Sequence, residues 1–256
     1  MEGLLSGKKG VVFGVANDRS IAWAIAKLAE EQGAQVAVGV QNERMAKSAE
    51  KLVDGRPGMR IFQADLNDDA DLARLLGELE AAYGKVDFMV HSVAYALRED
   101  LAERFIRTSR EGFKIALETS AYSFVAAAAA LEPILNDDAS LITMTYLGSQ
   151  RVLPGYNVMG VAKAALEASM RYLAHDLGER GIRVNAVSPG PINTVAARGI
   201  KGFSSILGVV GERAPLKRPA EQEQVASTSL YLLSDLSAGV TGQTLYVDGG
   251  YSAMGL

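Results

Sequence analysis

The chain has 256 residues, 48% of them hydrophobic and 22% charged, enough for one large core and too few for two comfortable domains. Its 26 basic and 30 acidic side chains give a net charge of −4, so no overall positive field exists to attract nucleic acid or an anionic membrane. Cysteine is absent, which excludes disulfides and thiolate metal sites, and His91 and His175 are too far apart in sequence to suggest zinc; no metal is expected.

The segment Met1 to Lys9 lacks the apolar core and small-residue cleavage site of a signal peptide. The longest apolar run, around Phe124 to Leu131, is too short to span a bilayer. A soluble, cytoplasmic protein is the expectation.

Along the chain, short apolar runs alternate with longer stretches of helical periodicity. Strands are expected at Gly10–Phe13, Gln35–Val40, Arg60–Gln63, Val86–His91, Leu141–Tyr146, Arg183–Ser188 and Thr244–Val247. Helices are expected at Ile21–Gln32, Glu43–Val53, Asp69–Tyr83, Arg110–Leu131, Tyr156–Arg180 and Glu221–Ser234. This alternation predicts a single-domain α/β fold over 1–256: a Rossmann-like, doubly wound parallel sheet of about seven strands, with right-handed crossovers placing helices on both faces. Gly33, Gly84 and Gly181 each end a predicted helix before a strand, as left-handed caps do. The alanine run Ala126–Ala130 reads as close helix packing, with a subunit interface as one use for it. Pro189 to Gly211 carries Pro189, Gly190, Pro191, Gly199, Gly202 and Gly208, too many breakers for a stable long helix. It reads as a mobile segment after a strand, a flap at about 190–211 where α/β proteins hold ligands.

The first apolar run leads directly into Gly14, and Gly14 to Ser20 then opens a helix whose N-terminal amides can receive a pyrophosphate. The usual G-x-G-x-x-G spelling is absent, so a plain turn between strand and helix reads similarly. At the end of the second strand stands Val40-Gln41-Asn42-Glu43-Arg44. Gln41 can bond an adenosine without charge, and Glu43 beside Arg44 opposes a 2′-phosphate, so NADH is expected over NADPH. Asp65-Leu66 can meet the adenine edge or serve as an acidic helix start. His91-Ser92-Val93-Ala94 ends the fourth strand with small residues that allow close approach to a cofactor, His91 itself reading as structural, as does His175.

The richest segment runs from Tyr146 through Tyr156 and Met159 to Lys163. Tyr156 and Lys163 are seven residues apart, about two helical turns, which predicts one shared face. On that face an ammonium can hold ribose hydroxyls and a phenol can donate to an oxygen that becomes negative during hydride transfer. An amphipathic surface helix is the plainer alternative.

These residues, with Ser20-Ile21, Gln41, His91-Ser92, Arg110-Glu111-Gly112-Phe113-Lys114, Tyr122-Ser123-Phe124, Ser188-x-Gly190-Pro191-Ile192-x-Thr194, Ser234 to Gly239 and Val247-Asp248-Gly249-Gly250, give the chain its resemblance. It resembles the short-chain dehydrogenase/reductase superfamily, and within it the bacterial NADH-dependent enoyl-acyl-carrier-protein reductases. Most of the superfamily spells its site Tyr-x-x-x-Lys. Four residues before Lys163 stands Met159, which has no proton to donate, and the pattern Tyr146, Tyr156, Lys163 stands in its place.

The resemblance implies that Tyr156 bonds a thioester carbonyl and stabilises the enolate formed as hydride reaches the β-carbon, and that Lys163 holds the nicotinamide ribose. Tyr146 corresponds to a second active-site tyrosine. Gly14, Ser20, Ile21, Gln41, Asp65, Leu66, Val93, Ile192, Asn193, Thr194, Val195 and Ala196 fall where the family contacts NAD, and Ala96 where it contacts substrate. The implied partners are an enoyl group on acyl carrier protein and three further copies in a homotetramer using the two long helices. Ala94, often glycine in relatives, and Leu97-Arg98, replacing a Pro-Gly pair, imply a narrower or stiffer loop beside the substrate.

Phe203, Ile206 and Leu207 within the flap would cover the acyl chain, or else simply belong to the core. Arg198, Lys201, Lys217 and Arg218 form a candidate patch for the acidic carrier, or a solvated basic face. The competing readings are a carbonyl or alcohol oxidoreductase of the same superfamily and a non-catalytic NAD-binding regulator.

Overall fold

Strand-forming runs buried on both faces must be apolar along their whole length, and the runs found here meet that demand. A computed structural model describes residues 2–192, 194 and 203–255, apart from the side chains of 203–205. The strands are β1 (Lys9–Phe13), β2 (Gln35–Val40), β3 (Met59–Gln63), β4 (Val86–His91), β5 (Leu135–Met144), β6 (Arg183–Pro189) and β7 (Thr244–Val247). They form one sheet in the order β3-β2-β1-β4-β5-β6-β7, every pair parallel. The order reverses between β1 and β4, and at such a switch point the loops diverge and leave a crevice beyond the strand ends.

Helices cover both faces. Those described are α1 (Ile21–Glu31), α2 (Glu43–Val53), α3 (Asp69–Tyr83), α4 (Arg98–Ala102), α5 (Arg110–Leu117), α6 (Ser123–Leu131), α7 (Val158–Asp176), α8 (Phe203–Arg213) and α9 (Gln222–Leu233). Successive side chains of a strand point to opposite faces, so Val11 and Phe13 join α3, α6 and α7 in one core while Val12 joins α1 and α9 in the other. Helix starts follow from single polar residues: Ser20, Asn42, Asp68 and Ser109 each accept a hydrogen bond from a backbone amide of the first turn.

Five expectations are corrected. Strand β5 begins at Leu135 rather than Leu141, because Asn136 bonds Asp87 at 2.9 Å and ties the polar start of the strand to β4. The stretch Arg110–Leu131 is interrupted by a π turn over Glu118–Tyr122 between α5 and α6. The helix expected from Tyr156 begins at Val158 and ends at Asp176, with a 3₁₀ turn at Gly178–Arg180, so Tyr156 precedes it. Helix α8 occupies part of the stretch read as too rich in breakers, and it accommodates Gly208 and Gly211. The short helix α4 follows Leu97, a segment with no expected element. The caps Gly33, Gly84 and Gly181 all have positive φ, although Gly84, at φ 72° and ψ −77°, lies outside the left-handed helical region.

Candidate active site

A cavity of about 540 Å³ opens beyond the carboxyl ends of β1 to β4. Gly14, Gln41, Asp65, Leu66, Ser92, Val93 and Ala94 line it. Gly14 has φ +97°, and a Cβ there would stand 2.2 Å from the Ser92 carbonyl oxygen. The chain after β1 thus runs so close to the chain after β4 that no side chain fits at position 14. Ser20 sits at the N-cap of α1, with Oγ accepting from the Trp23 amide at 3.3 Å and donating to the Asn17 carbonyl at 2.7 Å. The next residue, Ile21, opens the helix against the core. The free amides of this first turn and the close approach at Gly14 fit the pyrophosphate of a dinucleotide.

At the far wall, Gln41 Nε2 donates to Asp65 at 2.9 Å, and the other Asp65 oxygen accepts from the Asn67 amide at 3.0 Å. Ile192 is buried in the core shared with α1 and α9 and does not line the cavity, and Thr194 donates its amide to the Ile192 carbonyl at 2.7 Å. Asn193, Val195 and Ala196 lie outside the described residues, as do Arg198 and Lys201. Ala96 is half-buried in the loop after β4 and does not line the cavity. Ile206 is half-buried on α8; the side chain of Phe203 is not among those described.

Past β5 the two tyrosines come together: the rings of Tyr146 and Tyr156 meet edge-on, 4.9 Å apart at 68°. The Tyr156 ring lies on Gly148, where a Cβ would come within 2.4 Å of it. Burial and the neighbouring Tyr146 push the Tyr156 phenol well above the ordinary tyrosine range, and burial raises Tyr146 to about 12. Both remain proton donors at neutral pH. Lys163, 5% exposed on α7, donates to the Met144 carbonyl at 2.8 Å. Burial lowers it to about 8, against a smaller opposing pull from Glu167, so it is still cationic at pH 7. Met159 is buried with its sulfur 3.7 Å from Ser120 Oγ, so nothing at that position can donate a proton to a substrate.

Several supporting residues escaped the sequence reading. Ser120, in the π turn, accepts from the Tyr95 amide at 2.9 Å and donates to the Tyr95 carbonyl at 3.0 Å, holding the loop after β4. π turns are frequent at functional sites, yet no residue pattern in Glu118–Tyr122 announces one. Asn157, next to Tyr156, has φ 45° and ψ −125°, a conformation costly for a residue with a Cβ. Its amide donates to the carbonyls of Glu103 at 2.7 Å and of Asp100 and Leu101 at 3.3 Å.

His91 is structural, as read: it is fully buried between Thr143, 3.0 Å from Nδ1, and Ser123, 2.8 Å from Nε2. Ser123 donates its proton to the Thr119 carbonyl at 2.6 Å, so it accepts from His91 Nε2–H, and Nδ1 accepts from Thr143. Burial first, and the Lys163 charge second, lower this histidine to about 3.

Among the described residues no group of three His, Asp or Glu side chains could hold a metal ion, and no helix is long and apolar enough to cross a membrane.

Comparison with known proteins gives a consistent result. The family described as enoyl-(acyl carrier protein) reductase matches residues 14–252. The chain is similar to the enoyl-acyl-carrier-protein reductase (NADH) 1 of Rhizobium meliloti (strain 1021), with 49% identity over 254 residues, covering 99% of this chain and 93% of that one. A crystal structure of the Bacillus cereus enoyl-acyl carrier protein reductase with NADP+ and an indole naphthyridinone superposes with a TM-score of 0.97 at 44% identity, covering 99% and 100% of the two chains. The Anaplasma phagocytophilum reductase in complex with NAD gives 0.94 at 40% identity, covering 100% and 96%.

Proposed function

The chain belongs to the enoyl-(acyl carrier protein) reductase family, and on that premise we propose that it reduces the double bond of a trans-2-enoyl thioester on acyl carrier protein, with NADH as the electron source, in the last reductive step of fatty acid elongation. The observation that carries this reading is the edge-on pairing of protonated Tyr156 with Tyr146, while buried Met159 removes the tyrosine position a carbonyl reductase needs.

Bound NADH supplies the hydride that adds to the β-carbon, and the displaced electron pair moves onto the thioester oxygen. Tyr156 donates a hydrogen bond to that oxygen, and because the phenol is hard to ionise it stays a donor as the enolate forms. Protonation of the α-carbon then yields the saturated thioester. Lys163 holds the ribose hydroxyls, while uncharged Gln41 and the Glu43 beside Arg44 favour NADH over NADPH, and Asp65 meets the adenine edge. Helix α8, which overlaps the described part of the expected flap at about 190–211, would cover the acyl chain and exclude water.

We further infer a homotetramer. Exposed Phe113, Tyr122 and Tyr172 on the stretches Arg110–Leu131 and Val158–Asp176 support it, and light scattering that gave a monomer at micromolar concentration would contradict it. A cytoplasmic location accompanies this reading. The exposed Lys217 and Arg218, with Arg198 and Lys201, form the proposed carrier-docking patch; charge reversal at Lys201 and Arg198 should raise KM for carrier-linked substrate and spare the coenzyme A thioester.

The deciding assay follows NADH oxidation with crotonyl thioester beside simple ketones. The thioester should be reduced and ketones should not, and Tyr156→Phe should lose most turnover while keeping its fold. Equal turnover of ketones would reject the assignment.

A further inference from the structure

Glu167 is a carboxylate where the reaction has no stated need of one. It is 5% exposed, on α7, one helical turn beyond Lys163. One carboxylate oxygen accepts two hydroxyl hydrogen bonds, from Thr145 at 2.7 Å and from Ser149 at 2.6 Å. These two residues bracket the segment that carries Tyr146 and Gly148, and the Tyr156 ring rests on Gly148. Gly160 of α7 in turn packs against the Gly148 carbonyl, which a Cβ at residue 160 would approach to 2.8 Å. The carboxylate is therefore the far anchor of the short chain segment beneath both phenols. Burying an ionised group is costly unless its oxygens are satisfied, and the paired hydroxyls do that for one of them.

We propose that Glu167 is a positioning residue for the reductase: it fixes the Thr145–Ser149 segment under Tyr146 and Tyr156 and places a negative charge one turn from Lys163. The inference rests on the function proposed above. The order Lys163 then Glu167 is the weaker orientation for a helical pair, and Lys163 gives its hydrogen bond to Met144, so the carboxylate acts on the ammonium as a nearby charge rather than as a bonded partner.

The other ionisable groups facing this centre do not supply that charge. His91 on β4 is neutral, and Tyr146, Tyr156 and Tyr246 keep their protons at neutral pH. The Asp248 carboxylate after β7 is taken up by the amides of Gly250 at 2.9 Å and Ser252 at 2.8 Å. Arg151, which opposes Glu167 at Tyr246, donates its guanidinium to the Met254 and Ser252 carbonyls at 3.1 and 3.2 Å.

The two roles separate by substitution. Glu167→Gln keeps an oxygen for Thr145 and Ser149 and removes the charge. Its kcat at pH 6.5 should stay within about threefold of the parent, while the alkaline limb of kcat/KM for NADH moves down by about half to one pH unit. NADH binding, followed by nucleotide fluorescence without substrate, should weaken by roughly two- to fivefold at pH 8 and hold at pH 6.5. The double variant Thr145→Val, Ser149→Ala keeps the carboxylate side chain and frees the segment; its kcat at pH 6.5, where Lys163 is protonated in either case, should fall about tenfold or more. Glu167→Ala should combine both losses, and if it does not fold the first two variants decide the matter.

A folded Glu167→Gln with the parent's pH limb and NADH affinity, or a double variant with the parent's kcat, would overturn the proposal. A parent chain that binds NADH but reduces no enoyl thioester would sink the functional reading instead, leaving the binding measurements to judge Glu167.

Discussion

The cofactor cavity and the tyrosine–lysine centre share one rim of the sheet but are built from different material. Around the cavity the determinants are main chain and small residues: the close approach of Gly14 to the Ser92 carbonyl, the open amides of α1, and Val93 and Ala94 after β4. Across β5 the determinants are polar side chains with low exposure and specific partners: Lys163 on Met144, Glu167 on Thr145 and Ser149, and Asn157 on three carbonyls. The first region is a requirement on shape, which one methyl group can destroy. The second is a requirement on charge and hydrogen bonding, where an isosteric change does the damage.

Gly14→Ala tests the shape requirement most severely. The added Cβ has no room and the backbone angle is wrong for alanine, so NADH affinity should fall by at least about 100-fold and stability by roughly 2–3 kcal/mol, read by fluorescence titration and urea melts. Gly148→Ala carries the same methyl to the other region, where it displaces the Tyr156 ring. There kcat should drop about 10- to 100-fold while NADH affinity changes little, and equal losses in both would erase the distinction.

Lys163→Met sharpens the contrast through stability. A lysine lowered in the fold from 10.5 to about 8 binds its proton less well folded than unfolded, so the parent gains stability as pH rises from about 8 to 10.5 and lacks that gain below. The methionine variant should be inactive yet more stable at pH 7 by about 1 kcal/mol, with a flatter alkaline profile in thermal melts. His91, at the seam between the regions, gives the mildest effect. Its fold-lowered value means stability is full above 6.5 and lost as pH falls toward about 3, and His91→Gln should flatten part of that acid limb.

The same contrast decides what could be read in advance. Strand and helix positions depend on periodicity and capping residues, so β2, β4, β7, α2 and α3 stand where the residues predict them. The cavity residues Gly14, Gln41, Asp65, Leu66 and Val93 follow from their places just past strand ends. The polar network does not, because Glu167, Ser120 and Asn157 meet their partners through tertiary packing that no local spacing encodes. The expectation of Tyr156 and Lys163 on one helical face fails in its detail for a related reason: Asn157 turns the chain at φ 45°, so Tyr156 reaches the centre from the turn before α7. Glycines in 203–213 misled in the opposite direction. Gly208 and Gly211 have open space around them and cost the helix only about 1 kcal/mol each, a penalty that packing absorbs.

The central place of β1 has a consequence for biosynthesis. It precedes the other six strands in the chain, yet it lies between β2 and β4, and the crossover through β3 and α3 must be made before Val86–His91 can close its second side. Until then a nascent chain exposes the apolar backbone edge Gly10–Phe13, an invitation to pair with a stranger. Yield in cells should therefore respond to translation speed and chaperone supply before Val86, more than to the final stability of the finished sheet.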